Sequence, residues 1–491
     1  MSMLFILVVT TLLTAVAWLY LRSGSKQPLG PELPGWSGAG LTFKVTKGTF
    51  WTEEYIKDME KYPRLAMLES PLTLRSFFPK RIYFINDPDL VNEVMLSRGY
   101  KEFVNHPSQK ENRFSKIIDT SESLINLRDD QWKRQRKIIT PSFHWATIRP
   151  MIETFNEFCH QAIDVISASE GEVIELEQLV HKLTTDTIGS TSFGVRFDSL
   201  GPVETPLTSA LLDMTIRFQS SKARGLLFLP YADLLPIPAM RGLINGAKFI
   251  SETARAVVEQ RRNDESLRRD DLLQLLIDAK DEEGNPLPEK HIVHNAFLFL
   301  LAGEGTTAGT ITWAVYEVSK AREVEEKLLQ EFEDVLHGED PSHANVHEMK
   351  YLDAVIKETL RRHPATALTN RDCNVDAEVD GHLFPKGTQF LVNIWALQHS
   401  PKYWKDPMKF WPERFDEEHK HELVNNAYLP FGAGPRKCIG FRFALAEVKV
   451  ALVHLLRTFR FEYVSDRENP YPTGAFNPAP EGGMPMRVVR R

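Results

Sequence analysis

Residues 288 to 320, PEKHIVHNAFLFLLAGEGTTAGTITWAVYEVSK, constrain the fold of this chain more than any other stretch. They are apolar nearly all round and open with proline at a position that the first turn of a helix tolerates. Such a helix has no face for water, so it predicts a core able to surround it. A chain of 491 residues can supply one. Helical spacing recurs at 147–169, 251–263, 323–338 and 351–363, whereas strand-like pieces at 80–87, 377–393 and 485–489 are short and clustered. The expected class is mainly α with a small β-rich region. Within the long helix, AGEGTTAGT is a weak point: Gly303 and Gly305 each cost about 1 kcal/mol against alanine. Two readings stand open. Small residues allow a close helix crossing, or the helix is thinned to admit a flat ligand with a threonine hydroxyl released from backbone pairing.

From Leu4 to Leu21 the chain runs without a charge and then meets Arg22 and Lys26. That length nearly spans a bilayer core as a helix. Ala15-Val16-Ala17 has the small-x-small look of a cleavage site, but no Lys or Arg precedes the apolar run, which continues through Trp18 and Tyr20. An uncleaved anchor over residues 1–22 is therefore expected, with the downstream cations holding the bulk of the protein in the cytosol. Pro28, Pro31 and Pro34 make 23–42 a stiff extended hinge. No linker or repeat interrupts the rest, so residues 43–491 are expected to form one catalytic domain. The 59 Lys and Arg interspersed with 66 Asp and Glu argue against a nucleic-acid partner.

Cys159, Cys373 and Cys438 are too few and too scattered for a disulfide framework or a CxxC zinc site. The first two read as small buried hydrophobes. Cys438 differs, because it lies in LPFGAGPRKCIGFR, where Gly432, Gly434 and Gly440 predict a sharply turned loop and an amphipathic helix follows. A thiol at the mouth of a helix gains from exposed amides and the positive dipole end, which favour the thiolate and make it a good metal ligand.

Phe431, Gly434, Arg436, Cys438 and Gly440 together resemble the haem-binding signature of the cytochrome P450 family, Phe-x-x-Gly-x-Arg-x-Cys-x-Gly. Five fixed positions at fixed spacing should arise by chance in a chain this long about once in ten thousand. Glu358 with Arg361, Arg414 within FWPERF, and Trp132 with Arg136 follow the family's order. The resemblance implies the cytochrome P450 fold and makes Cys438 the thiolate ligand of a haem b iron, a ligation that favours O–O cleavage. It also pairs Trp132, Arg136, Arg371 and Arg436 with haem propionates, and makes Glu358, Arg361 and Arg414 a buried ion-paired triad. Thr306 matches the family's oxygen-activating threonine, with Ala302 and Thr310 on the same face. The acid that usually precedes that threonine is replaced by Gly305, and Glu304 sits one position earlier, about 100° away round the helix. Glu304 is a catalytic candidate on sequence position, and water held by Thr306 is the alternative proton carrier.

The implied activity is a monooxygenase that inserts one oxygen atom from O₂ into an apolar small molecule. NADPH electrons would arrive through a separate flavoprotein reductase, with cytochrome b5 as a further partner. A haem-thiolate isomerase, dehydratase or peroxygenase is the alternative, and the resemblance to microsomal members implies a single-pass endoplasmic reticulum protein. Cations of WKRQRK (132–137), with Lys437 and Lys449, are expected to form the reductase face. Leu298, Phe299, the loop after His363 and the turn around Phe476 are expected pocket walls. The apolar stretch 225–240 is either a buried connector or a lipid-dipping entrance.

Overall fold

The computed structural model describes residues 35–37, 64–69, 81–98, 101–104, 120–202, 205, 208–210, 238–465, 470, 472–473 and 478–491. The expected anchor (1–22), most of the hinge, residues 225–237 and Phe476 lie outside them. Among the described residues no helix is long and apolar enough to cross a membrane.

The helices that position the site are α1 (Asp129–Ile139), α2 (Met151–Ser167), α3 (Leu176–Ile188), α4 (Pro238–Asn263), α5 (Glu289–Lys320), α6 (Arg322–Leu336), α7 (Lys350–Arg362) and α8 (Phe441–Thr458). Helix α5 is continuous, and most of its residues from Ile292 to Val318 are buried, as its all-round apolar pattern requires. Pro288 is extended and precedes the first turn instead of lying within it. The flanking helices bury single stripes. In α2 these are Met151, Ile152, Phe155, Phe158, Cys159, Ala162 and Ile166, at three- and four-residue spacing. Each such large apolar side chain stabilises the fold by about 1.5–3 kcal/mol on burial.

A six-stranded sheet stands apart from the helical core. Its strands are β1 (Gly35–Ser37), β2 (Leu65–Glu69), β3 (Arg81–Ile85), β4 (Phe103–Val104), β5 (Leu368–Cys373) and β6 (Gln389–Asn393), in spatial order β1-β2-β3-β6-β5-β4. Pairings β1–β2 and β3–β6 are parallel and the others antiparallel, with Arg371 of β5 opposite Phe390 of β6. Tyr83, Phe103, Phe384 and Phe390 pack edge to face or tilted beneath it as a second apolar core. A three-stranded antiparallel sheet (Val173–Glu175, Pro485–Arg490, Phe459–Tyr463) closes the end of the helical body. Cys159 and Cys373 are buried in the two cores, where burial raises both thiols, Cys373 to about 12.

Candidate active site

Between the helical and sheet cores lies a cavity of about 370 Å³ whose wall includes Ala302, Gly303 and Thr306 on one side and Phe431, Arg436 and Cys438 on another. Trp132, Arg136, Arg371 and Gly440 also reach it. Four parts of the chain supply these groups: the middle of α5, the loop before α8, α1 and β5.

The loop before α8 is shaped by glycine. Gly432 and Gly434 adopt φ of +70° and +69°, and a Cβ on Gly434 would stand 2.0 Å from the carbonyl oxygen of Met95. Only glycine fits there. Gly440, in contrast, has φ of −87°, and a Cβ on it would make ordinary contact with Phe143 at 3.6 Å. The expectation of a special backbone at Gly440 is thus corrected. The Cys438 amide donates to the Phe431 carbonyl at 2.9 Å, which ties the cysteine back across the turn. Cys438 is exposed, on the cavity wall. Burial in the surrounding protein raises its thiol, and the Gly440 amide, Arg136 and Lys437 only partly offset this. A metal cation bound to the sulfur would favour the thiolate there.

Three arginines line this end of the cavity. Arg436 lies over the Trp132 ring at 4.0 Å and donates to the carbonyls of Leu127 at 2.9 Å and Leu124 at 3.4 Å. Burial, and then the charges of Arg371, Arg128 and Arg136, push its pKa down to about 9, though Asp129 opposes them. Arg371 is 2% exposed, and burial lowers it to about 10. Its Nη1 donates to the Asn370 carbonyl, while its Nε has no partner. Arg136 donates to the Lys437 carbonyl at 3.0 Å, and burial lowers its pKa as well. Cations held together at depressed pKa, one with an orphaned donor, are arranged for an anion.

On the opposite wall the Thr306 hydroxyl donates to the Ala302 carbonyl at 2.7 Å, and Thr310 donates likewise to Thr306 at 2.8 Å. The hydroxyl is not released from the backbone as expected. Back-bonding to residue i−4 satisfies it without breaking the helix. Both expectations for the small residues hold in part, since a Cβ on Gly303 would meet Ile188 of α3 at 2.8 Å while Ala302 and Thr306 face the cavity. Glu304 is corrected as a site residue. It is fully buried away from the cavity wall, and its carboxylate pairs with His181 Nδ1 of α3, whose Nε2 lies 3.9 Å from Glu177. Burial opposes the His181 charge, yet the two carboxylates outweigh it and raise the imidazole to about 10.

Leu298, Phe299, Ala365, Thr366 and Thr369 line the cavity, as expected for the α5 turn and the loop after His363. Sequence reasoning missed the segment 120–127, which covers the cavity and holds Arg436. Its backbone is pinned to α5, because the Glu122 amide donates to His294 Nδ1 at 3.0 Å and the Leu124 amide to Asn295 Oδ1 at 2.9 Å. Two adjacent polar residues in an otherwise apolar helical run were the available signal. Behind the cavity Glu358 receives Arg361 at 2.8 Å and lies 3.0 Å from Arg414 Nε, all three buried. Lys449 is also corrected: it is buried against Asp353 at 2.9 Å and the Val346 carbonyl, so it adds nothing to a cationic face.

Residues 64–484 match the family described as Cytochrome P450. The chain belongs to the cytochrome P450 family. It is 30% identical to human cytochrome P450 3A7 over 452 residues, which cover 90% of this chain and 86% of that protein. Human cytochrome P450 3A5 is 31% identical over 404 residues (79% and 78%), and pig cytochrome P450 3A29 is 30% identical over 398 residues (79% and 78%). As a cytochrome P450 the chain is an oxidoreductase, a haem-thiolate monooxygenase. Its cofactor is haem with a cysteine thiolate as axial ligand, and its NADPH electrons come through a reductase. The cavity fits that group, having a sulfur on one wall, a small-residue helix face on the other, and an orphaned buried guanidinium with further cations at its edge.

Proposed function

We propose that Cys438 is the residue that ligates the haem iron, that Trp132, Arg136, Arg371 and Arg436 hold the propionates, and that Thr306 serves the oxygen side. Bound there, haem supplies reductive activation of O₂ for insertion of one oxygen atom into an apolar substrate. The polypeptide's tasks follow from its geometry. Arg436, fixed by Trp132 and two carbonyls, presents its charge without further ordering, and Arg371 offers its unpaired Nε. Thr306 Oγ1 spends its proton on the Ala302 carbonyl and keeps its lone pairs for a water in the cavity. With Glu304 turned to α3, that water carries protons in place of an acidic side chain. Leu298, Phe299 and Phe143 exclude bulk solvent and favour an apolar substrate.

The observation that carries this reading is one cysteine sulfur facing a helix of small residues across a cavity edged by arginines. The test is the carbon-monoxide difference spectrum of the reduced protein. The wild type should show the band of thiolate ligation, and Cys438→Ser should lose it together with NADPH-dependent turnover. A serine variant that kept both would overturn the assignment.

We further infer a single-pass endoplasmic reticulum protein, anchored by residues 1–22 through the 23–42 hinge, with 43–491 as the cytosolic catalytic domain and cytochrome b5 as a second electron donor. The uncharged run from Leu4 to Leu21, followed by Arg22 and Lys26, supports the anchor and its orientation.

A further inference from the structure

Near the C-terminal end of α8, away from the first turns that line the cavity, three segments bring two imidazoles and a carboxylate together. His160 of α2 places Nε2 at 2.7 Å from Asp340 Oδ2, in the turn after α6. His454, near the end of α8, places Nε2 at 3.9 Å from Asp340 Oδ1. The two rings stand edge to face, with centroids 4.7 Å apart and planes at 73°. One nitrogen of each ring and one carboxylate oxygen all lie within 4.8 Å of one another.

We propose that His160, His454 and Asp340, with Asn156 Oδ1 as a fourth donor, bind one divalent transition-metal ion of the zinc type. This site is separate from the haem cavity and does not depend on the reading of it. At a metal–nitrogen distance of about 2.05 Å, tetrahedral donors sit about 3.3 Å apart, so the present spacings close on an ion with shifts of about 1 Å or less. Asn156 is oriented for the role: its Nδ2 donates to the Pro341 carbonyl at 2.8 Å, which turns Oδ1 toward His454 Nε2 at 2.9 Å. Arg457 completes the surroundings. It donates to Asp340 Oδ1 at 3.1 Å and to the carbonyls of Gly338 and Glu339, so it fixes the carboxylate from behind and leaves Oδ2 for the ion.

The donor set selects among metals. Two imidazoles and a single carboxylate suit zinc, nickel or copper, whereas magnesium and calcium require more oxygen ligands. His454 is 1% exposed, and burial, aided by His160 and Arg457 against Asp340, pulls its pKa down to about 4. The ring is neutral at pH 7, and in its Nδ1–H tautomer it presents the Nε2 lone pair to the metal. His160 is on the exposed side, with 55% of its side chain accessible, and provides the entry path. A bound ion would join α2, the turn after α6 and α8, the helix that starts at the cysteine loop.

The experiment uses full-length haem-loaded protein freed of metal with a chelator and titrated with zinc chloride. Calorimetry should give one zinc per chain with a Kd below about 10 µM, and the thermal midpoint should rise with zinc in proportion to the occupancy. His160→Ala, at an exposed position, should weaken binding at least about tenfold without moving the midpoint measured in chelator. His382→Ala, at an exposed histidine elsewhere, should bind as the wild type does. Zinc-edge X-ray absorption should report two imidazole nitrogens. Absence of stoichiometric binding, or equal affinity in wild type, His160→Ala and Asp340→Asn, would overturn the proposal and assign any zinc uptake to other histidines.

Discussion

At the scale of single residues, the cavity separates two acids and bases that adjacency in sequence would confuse. Thr306 faces the cavity, whereas Glu304 is committed to His181 behind the helix. Thr306→Val should lower product formed per NADPH oxidised by about an order of magnitude or more, the usual weight of a proton-transfer group, while Glu304→Gln should leave that ratio near wild type. Glu304→Gln should instead change stability. The His181 pKa is raised to about 10 from the ordinary value of 6.5. Its contribution is therefore complete below about pH 6.5 and is lost as pH rises through about 10. Urea unfolding followed by circular dichroism from pH 6 to 10 should show a decline that Glu304→Gln flattens, and parallel profiles would refute the pairing. Arg436 makes another case, because burial first and then the neighbouring arginines disfavour its charge, which an anion would offset. Arg436→Leu should weaken haem retention about tenfold to a hundredfold, the equivalent of one charged hydrogen bond at 1.5–3 kcal/mol, measured as the rate of haem transfer to an acceptor protein. Unchanged transfer would remove Arg436 from the set.

At the scale of elements, the site depends on how α7, the cysteine loop and α5 are locked. Glu358, Arg361 and Arg414 are buried and ion-paired: Arg361 also donates to the Gln398 and Pro407 carbonyls at 2.7 Å each, and the Trp411 amide donates to Glu358. Glu358→Ala strands two buried guanidiniums and should destabilise the fold by about 3–5 kcal/mol, read as a lower denaturant midpoint with loss of haem; a midpoint within experimental error of wild type would mean the triad is not structural. These residues were legible in the sequence through the family resemblance, since only Glu358 and Arg361 share a helix turn and Arg414 lies in a distant segment. Also legible were α5, whose pattern leaves no polar face, and the cysteine loop, whose glycines mark its turns. What the sequence hid was long-range. Strand β5 carries Arg371 in LTNRDC, which shows no alternation, because neighbours on both sides bury Leu368 and Asn370 to Cys373 alike. The setting of Cys438 was half legible for the same reason: the helix mouth was visible in sequence, and the surrounding protein that raises the metal-free thiol was not. Lys449 looked like surface because its partner, Asp353, lies on another helix.

At the scale of the whole molecule, two cores meet around one cavity, and the face proposed to receive electrons from the reductase is the side on which Cys438 lies. The basic run on α1 is less cationic than its sequence implies. Arg134 pairs with Asp281 and Lys137 with Glu282, so much of their charge is met within the chain. Lys133 and Lys437 are exposed, and Lys437 sits beside Cys438 with its ammonium 4.3 Å from the centre of the Phe441 ring. These two are the better candidates for steering an acidic reductase, since a charge already paired contributes little to the outer field. Long-range attraction between exposed charges is screened over about 8 Å at physiological ionic strength. The double variant Lys133→Glu, Lys437→Glu should therefore slow reduction of the wild-type haem spectrum by reductase several-fold at low salt, and the gap should narrow as salt is added. Lys137→Glu should have a smaller effect on the rate, because it exchanges an internal ion pair for a repulsion and changes the outer field less. Stopped-flow reduction at three salt concentrations decides it: a deficit in the double variant that persists at high salt would mean a damaged contact or a distorted cysteine loop, and equal rates at low salt would place the docking face elsewhere.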